Sequence, residues 1–332
     1  MAQQDHYDVY AVGNALVDKE FEVNDTFFET HGIEKGLMTL VEGEAQSQLV
    51  DLLMNEHGLK KRAGGGSAAN TLYALSQFGG RAFYSCKLGN DETGDFFLEQ
   101  LGDQNIKTNT AGQRADGASG RCVVMISPDA ERTMHTHLGV SGELSAEDLE
   151  FSAADKAKYI YLEGYLVTSP SARAAIIELK RYAEEKGIAT AMTFSDPSML
   201  EYFRDNVVEV LGEGVDLLFC NERELRLWAQ TDDFEAAFSK ALGFAKKLVV
   251  TLGADGALLY DGAKRIPIAP HKVKAIDTNG AGDMFAGAFL YGITNGMDFE
   301  AAGRLASLAS AKVVSSFGPR LEPEAHAELV AN

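Results

Sequence analysis

Residues 277–292, DTNGAGDMFAGAFLYG, constrain this chain more than any other stretch. Seven of the sixteen are Gly or Ala, yet Asp277 and Asp283 stand among them. Ahead of the run, HKVKAI places the apolar Val273 and Ile276 as in a short strand. Behind it, Met284, Phe285, Ala288, Phe289 and Ile293 recur at helical spacing, so a helix is expected to start between Gly280 and Asp283. A strand, a Gly-rich turn and a helix start together put free backbone N–H groups at the positive end of a helix dipole. That arrangement is a ready anion site. Gly280 and Gly282 let an anion reach the backbone without side-chain obstruction. Taken alone, Asp283 also fits a residue that merely complements the dipole, for about 0.3–1 kcal/mol.

A second Gly-rich stretch, AGGGSAAN, spans residues 63–70. Gly64-x-Gly66-x-x-Ala69 fits a relaxed dinucleotide fingerprint, but KKRA precedes it and no strand is expected there. A Rossmann dehydrogenase is therefore disfavoured, and a tight turn before a helix is the plainer reading. No G-x-x-x-x-G-K-[ST], G-x-S-x-G or H-E-x-x-H occurs, which excludes the P-loop, the nucleophile elbow and the zincin signature.

The 332 residues are 45% hydrophobic, enough for one large core with a smaller domain beside it. Thirty basic residues against 49 acidic ones give a net charge of −19, which repels nucleic acid and anionic membranes. A small anion such as a nucleotide remains compatible if Mg²⁺ and helix N-termini screen it. Cys86, Cys122 and Cys220 are far apart and show no C-x-x-C spacing, so neither a disulfide framework nor a zinc site is expected. The opening MAQQDHYDVY has no basic and apolar regions of a signal peptide, and no apolar run reaches membrane-spanning length. The expectation is a soluble cytoplasmic protein.

Along the chain, YDVYAVG reads as a strand, and the alternation of Phe21 and Val23 against Glu20 and Glu22 as a half-exposed one. GRCVVMISPDAERTMHTHLG reads as a hairpin turning at Pro128–Asp129. Further on, strands and helices alternate: YIYLEGYL, SARAAIIELKRYAEEKG, IATAMTFS, VDLLFCN, ERELRLWAQ, KLVVTLG. That order predicts an α/β fold whose mostly parallel sheet is covered on both faces. The polar-faced strands near 15–40 and 106–138 fall outside it as a small β-sheet lid, leaving 1–14, 41–105 and 139–332 as the core. His135 and His137 share a strand face, but no third ligand accompanies them.

GGSAAN (65–70), KLGNDETGDFF (87–97) and DTNGAGD (277–283), in that order, resemble the signatures of the PfkB, or ribokinase-like, carbohydrate and nucleoside kinases. The resemblance runs over nearly the whole chain. It implies a ribokinase-like, Rossmann-type three-layer core with a β lid over the acceptor, and ATP and Mg²⁺ as cofactors. By the same resemblance Asp283 takes the proton of the acceptor hydroxyl, and Gly280, Ala281 and Gly282 form the anion hole. That role suits an aspartate set beside free N–H donors. Asp277 resembles a residue that helps to place a monovalent cation such as K⁺. Asn221 and Glu224 of CNERE resemble the pair that organises Mg²⁺ through water, though a helix cap explains them equally. Thr251, Gly253 and Gly256 of TLGADG resemble the loop at the nucleotide's phosphates and ribose. Asn14 and Asp18 of VGNALVD, with Gly65, Gly66 and Asn70, stand where the family grips sugar hydroxyls. Arg132 matches lid arginines that reach the phosphates, or is a solvated turn residue.

The acceptor is a small molecule, a nucleoside or a sugar. GNALVD, FCNERE and MTFSDPSML resemble adenosine-kinase forms. Glu163 of YLEGYL points instead to a sugar kinase, ribokinase- or fructokinase-like, where a carboxylate contacts the free sugar. Phe21, Phe27 and Phe28 are the candidates for a purine clamp. A binding-only descendant would have lost Asp283 or the glycines, which are intact. The lid's exposed face leaves both a monomer and a lid-to-lid homodimer open.

Overall fold

A computed structural model describes residues 6–102, 105–111 and 114–331. Residues 1–5, 103–104 and 112–113, which fall within the expected core and lid segments, lie outside the described residues, as does residue 332. In chain order the strands are β1 (Tyr7–Val12), β2 (Leu16–Glu22), β3 (Met38–Leu40), β4 (Lys61–Gly65), β5 (Ala82–Ser85), β6 (Ile106–Thr108) and β7 (Gly120–Ile126). There follow β8 (Arg132–His137), β9 (Ala157–Leu162), β10 (Ala189–Thr193), β11 (Val215–Asn221), β12 (Ala245–Thr251), β13 (Ala257–Tyr260) and β14 (Arg265–Ile268).

Among the described residues these strands form two sheets. The larger has the order β14-β13-β12-β11-β10-β9-β1-β5-β6, parallel from β12 to β6 with two antiparallel strands at one edge. Its central strands are apolar on both faces because both are covered. Tyr10, Val12, Ile160 and Leu162 point into one core layer, whereas Val9, Ala11 and Tyr161 point into the other. Helix Pro170–Lys186 covers the first face, and helices Ser67–Gln77, Ala281–Thr294 and Phe299–Val313 cover the second. This is the expected α/β fold with a mostly parallel sheet. Strand β1 lies between β9 and β5, so the chain leaves it in both directions, and a crevice opens at the carboxyl ends of such strands.

The smaller sheet has the order β3-β8-β7-β2-β4. It differs from the sequence expectation at several places. Strand β4 lies in a segment assigned to the core, and β6, in a segment assigned to the lid, pairs with β5 in the large sheet. A strand therefore does precede AGGGSAAN, running antiparallel to β2 rather than opening a Rossmann unit. Strand β2 is not half-exposed: β4 and β7 flank it and only Glu22 is open to solvent, so Glu20, one of the two charged residues of its alternation, is buried. HKVKAI is no strand, and Val273 and Ile276 are exposed on an irregular segment that, among the described residues, joins no sheet; the Ile276 amide donates instead to Val314 O at 2.7 Å, after a helix.

Period-two alternation sorts the small sheet's side chains. Phe21, Val123 and Met125 face outward and meet Phe27 and Phe28 of helix Asp25–His31 and Leu53 of helix Gly43–Glu56. Each of these phenylalanines contributes about 1.5–3 kcal/mol by leaving water. The three phenylalanines expected to clamp a base are thus a structural cluster, and the face expected to be free for a lid-to-lid dimer is covered by two helices. His135 shares this outward face.

Candidate functional site

The expected site residues follow the strand ends. Asn14 comes two residues after β1, Glu163 directly after β9, Asn221 closes β11 and Thr251 closes β12. The two Gly-rich motifs meet because their helices pack at a glycine. A β-carbon on Gly287 would lie 2.3 Å from the carbonyl oxygen of Thr71 and 2.7 Å from the Ala74 methyl. Several small residues of the 277–292 run therefore serve helix packing rather than anion access.

That packing brings the first turns of both helices together. Ser67 donates to Asp283 Oδ1 at 2.6 Å and the Asn70 amide nitrogen to Oδ2 at 3.1 Å. Asp283 is the third residue of its helix, whose N-cap Gly280 adopts φ 73°, with a virtual β-carbon 2.5 Å from Pro319 O. Only glycine fits there. Gly282 is exposed, with nothing within 4 Å of its β-carbon position. The Ala281 amide donates to Thr278 O at 3.2 Å, whereas the Gly282 and Asp283 amides have no helical carbonyl ahead of them. Burial raises the Asp283 carboxyl above the usual carboxylate range, while Ser67, Asn70, Arg132 and Arg320 act against the rise.

Asp283 lines a cleft of about 580 Å³ between the two sheets. Its polar sector holds Asn14, Asp18, Ser67, Asn70, Arg132 and Asn279. The inner face of the small sheet supplies Asp18 and Arg132 and, beside them, an apolar wall of Leu16, Met38, Leu40, Met134 and Leu138, with Tyr165 from the core side. Asp18 lies over Gly65, whose virtual β-carbon would be 2.1 Å from Oδ1, and Gly66 forms the cleft floor at the helix start. Burial pushes Asp18 up to about 7 against the pull of Arg320. Arg132 reaches across from β8 to within 3.7 Å of Asp196. Burial opposes its charge, yet Tyr165, Asp196, Asp283 and Glu224 together hold it above its ordinary value. It is no solvated turn residue.

Other expected residues stand elsewhere. Glu163 is fully buried behind the cleft: Oε1 accepts from the Asn14 amide and side chain, and Oε2 from the Ala68 amide. It has no free oxygen for a sugar and instead fixes Asn14 and the helix start at Ser67. Asn221 and Glu224 form a reciprocal capping box on helix Glu222–Ala229, and burial raises Glu224 to about 7. Thr251, Gly253 and Gly256 lie outside the cleft; Gly253 faces open space, whereas Gly256 (φ 93°) is forced by Ile268 O, 2.1 Å from its β-carbon position. Asp277 accepts from the Asn279 and Gly318 amides, both at 2.8 Å, so a cation there would share the carboxylate with two donors.

Three contributors escaped the sequence reading. Ser67 and Asn279 both lie inside the Gly-rich motifs and were legible there. The bond of Asn279 to Glu20 Oε1 at 3.2 Å and that of Arg320 to Asn70 depend on distant segments meeting.

The arrangement, a carboxylate at an exposed helix N-terminus facing a cleft, is that of a small-molecule phosphotransferase. The pfkB family carbohydrate kinase pattern matches residues 40–325, and the chain belongs to that family. It is 25% identical over 338 residues to adenosine kinase of Saccharomyces cerevisiae, covering 94% of this chain and 96% of the relative. Adenosine kinase of Sinorhizobium meliloti superposes with a TM-score of 0.92 at 34% identity, over 99% of this chain and 100% of the other. A probable sugar kinase of Rhizobium etli superposes at 0.91, also 34% identical, over 98% and 99%.

Proposed function

We propose that the chain transfers the γ-phosphoryl of ATP to the 5′-hydroxyl of adenosine or a related purine nucleoside. The observation that carries this reading is the lining of the cleft: Asp283 at the core helix start faces a small-sheet wall on which Asp18 stands beside five apolar side chains. A free monosaccharide is polar around its rim and would leave that apolar wall uncovered; a nucleoside presents a diol to Asp18 and a flat base to Leu16, Met38, Leu40, Met134 and Leu138. The withdrawal of Glu163 from the cleft also weighs against the sugar alternative.

In this reading Asp18 and Asn14 accept the ribose hydroxyls, and Asp283 accepts the 5′ proton as the oxygen attacks. The Gly280–Gly282 turn, through its amides, stabilises the negative charge on the transferring group. The small sheet shields the reaction from water. Arg132 is placed to exchange Asp196 for a phosphate. Among the described residues no group of three or more His, Cys, Asp or Glu would hold a metal. This donor set suits Mg²⁺ carried on the phosphates, with Glu224 reaching it through water; the ion neutralises phosphate charge when bound.

The test is ADP release from Mg²⁺-ATP with adenosine, inosine, guanosine, ribose, fructose or no acceptor. Turnover restricted to purine nucleosides is expected. Turnover restricted to a free sugar would replace this reading with the sugar-kinase one.

A further inference from the structure

Arg320 sits in the C-terminal segment, far in sequence from both motifs, yet only 7% of its surface is exposed. The segment that delivers it is pinned at three points. The Gly318 amide donates to Asp277, Lys61 Nζ to Phe317 O at 3.1 Å, and Pro319 packs on Gly280. Arg320 then threads inward. Its Nε donates to Asn70 Oδ1 at 2.9 Å and its Nη1 to Gln100 O at 2.8 Å, and the guanidinium lies 4.8 Å from the centre of the Tyr73 ring. Gly64 makes room, since a β-carbon there would lie 2.9 Å from Nη1. The third nitrogen, Nη2, is buried with no hydrogen-bond partner among the described residues.

A side-chain amide presents an oxygen on one side and a nitrogen on the other, and a neighbour decides which way it turns. Arg320 has only donors, so Asn70 must offer it the oxygen. The nitrogen is thereby aimed at Asp283. We propose that Arg320 is a positioning residue for the transfer reaction, orienting Asn70 toward Asp283 and supplying the positive charge that Asp18 and Asp283 face from the core side. This rests on the phosphotransfer reading above. A buried arginine so close to a general base costs desolvation that a structural prop, such as a Met, would avoid.

Asp283 is faced by Ser67 and Asn70 from one helix, Arg132 from β8, Asp18 from β2, Glu163 and Tyr161 from β9 and its end, Tyr165 beyond it, Glu224 from helix Glu222–Ala229, and Arg320. Against three carboxylates, its ionised form is favoured by the hydrogen bonds from Ser67 and Asn70 and by the charges of the two arginines. Burial lowers the Arg320 guanidinium to about 10, which still leaves it charged at neutral pH.

The experiment compares kcat and KM across pH for the wild type, Arg320→Met and Arg320→Lys, with thermal melting of each. Arg320→Met keeps the stem on Tyr73 but loses charge and donor. It is expected to lose on the order of 100-fold in kcat, the scale of a misplaced reacting group, with little change in nucleoside KM. Its acid limb should move to higher pH, because Asp283 then holds its proton more tightly. Added guanidinium ion should restore part of the rate. Arg320→Lys should keep the acid limb in place while losing rate, since a point charge does not reproduce the Nε donor. A variant that melts lower yet keeps wild-type kcat and acid limb would reduce Arg320 to a prop and overturn the inference. If Arg320→Met fails to fold, Arg320→Lys decides: wild-type kcat overturns the proposal and a selective kcat loss supports it. An active wild type with indifferent variants sinks this inference alone, whereas a wild type silent on every acceptor sinks the functional reading and this with it.

Discussion

The two sheets place their polar side chains in opposite ways. In the large sheet the central strands carry apolar side chains on both faces, and the candidate residues Asn14, Glu163, Asn221 and Thr251 stand at or past the carboxyl ends. In the small sheet Asp18, Glu20 and Arg132 lie within strands, alternating with residues that face helices Asp25–His31 and Gly43–Glu56. The difference follows from what covers each face. A sheet packed between two helical layers has no water on either side and excludes charge from its middle. A sheet with one face on helices and one on a cleft can carry charge on the second. In the function proposed above, the core thus holds the catalytic carboxylate at a helix start, and the small sheet holds the surface that selects the acceptor.

The largest effect is expected on the core side. Asp283→Asn should lower kcat by roughly 10²–10⁴-fold, the contribution of a general base, with nucleoside binding retained by calorimetry. Normal turnover in this variant would remove chemistry from the core side. The acid limb of the wild type should lie above the ordinary carboxylate range, because burial holds the proton on Asp283 and activity is lost as pH falls through that raised value.

A change on the small sheet should touch selection instead. Met134→Ser adds a hydroxyl to the apolar wall and removes a thioether. It is expected to cost about 10- to 100-fold in kcat/KM for the nucleoside, as pocket contacts do, with kcat at saturation nearly unchanged. A kcat loss as large as that of Asp283→Asn would mean that the division of labour between the sheets is wrong.

The smallest effect concerns Glu20, buried in mid-strand with Oε2 unpartnered among the described residues. Burial first, and then Asp277 and Asp18, raise its carboxyl from 4.5 to about 8. The folded state therefore keeps a proton that the unfolded chain releases. Stability is greatest below the unfolded value and falls as pH rises through the window up to the folded one, by at most about 1.4 kcal/mol per pH unit for this group. Glu20→Gln should melt at the wild-type temperature near pH 4 and higher than wild type at pH 8. The slope should shrink rather than vanish, since Asp18, Glu163 and Glu224 are raised in the same direction. Parallel melting curves would show that mid-strand charge in the small sheet carries no stability cost.

Much of this was legible in residue order. Strand–helix alternation after Tyr159 predicted the parallel sheet, and the small residues around Asp283 predicted the helix start, because both depend on neighbours within one turn or one strand. The misreadings came where a partner was distant. KKRA reads as a loop until β2 pairs with it, and HKVKAI reads as a strand although no strand among the described residues pairs with it. Glu163 looks like a ligand for a sugar because its sequence neighbours say nothing about Asn14 and Ala68 closing on it.

By itself, the sequence determined the two Gly-rich helix starts, the family signatures and the placement of chemistry at strand ends, since local backbone conformation and side-chain period are short-range properties. Only the tertiary structure decided that Gly287 seats one motif helix on the other, that Phe21 turns outward to meet Phe27 and Phe28 of a covering helix, and that Arg320 arrives beside Asn70. Those outcomes depend on contacts such as Asn70–Arg320, 250 residues apart. Burial, which sets the charge state of Asp18, Glu20 and Asp283, exists only once such segments have closed over them.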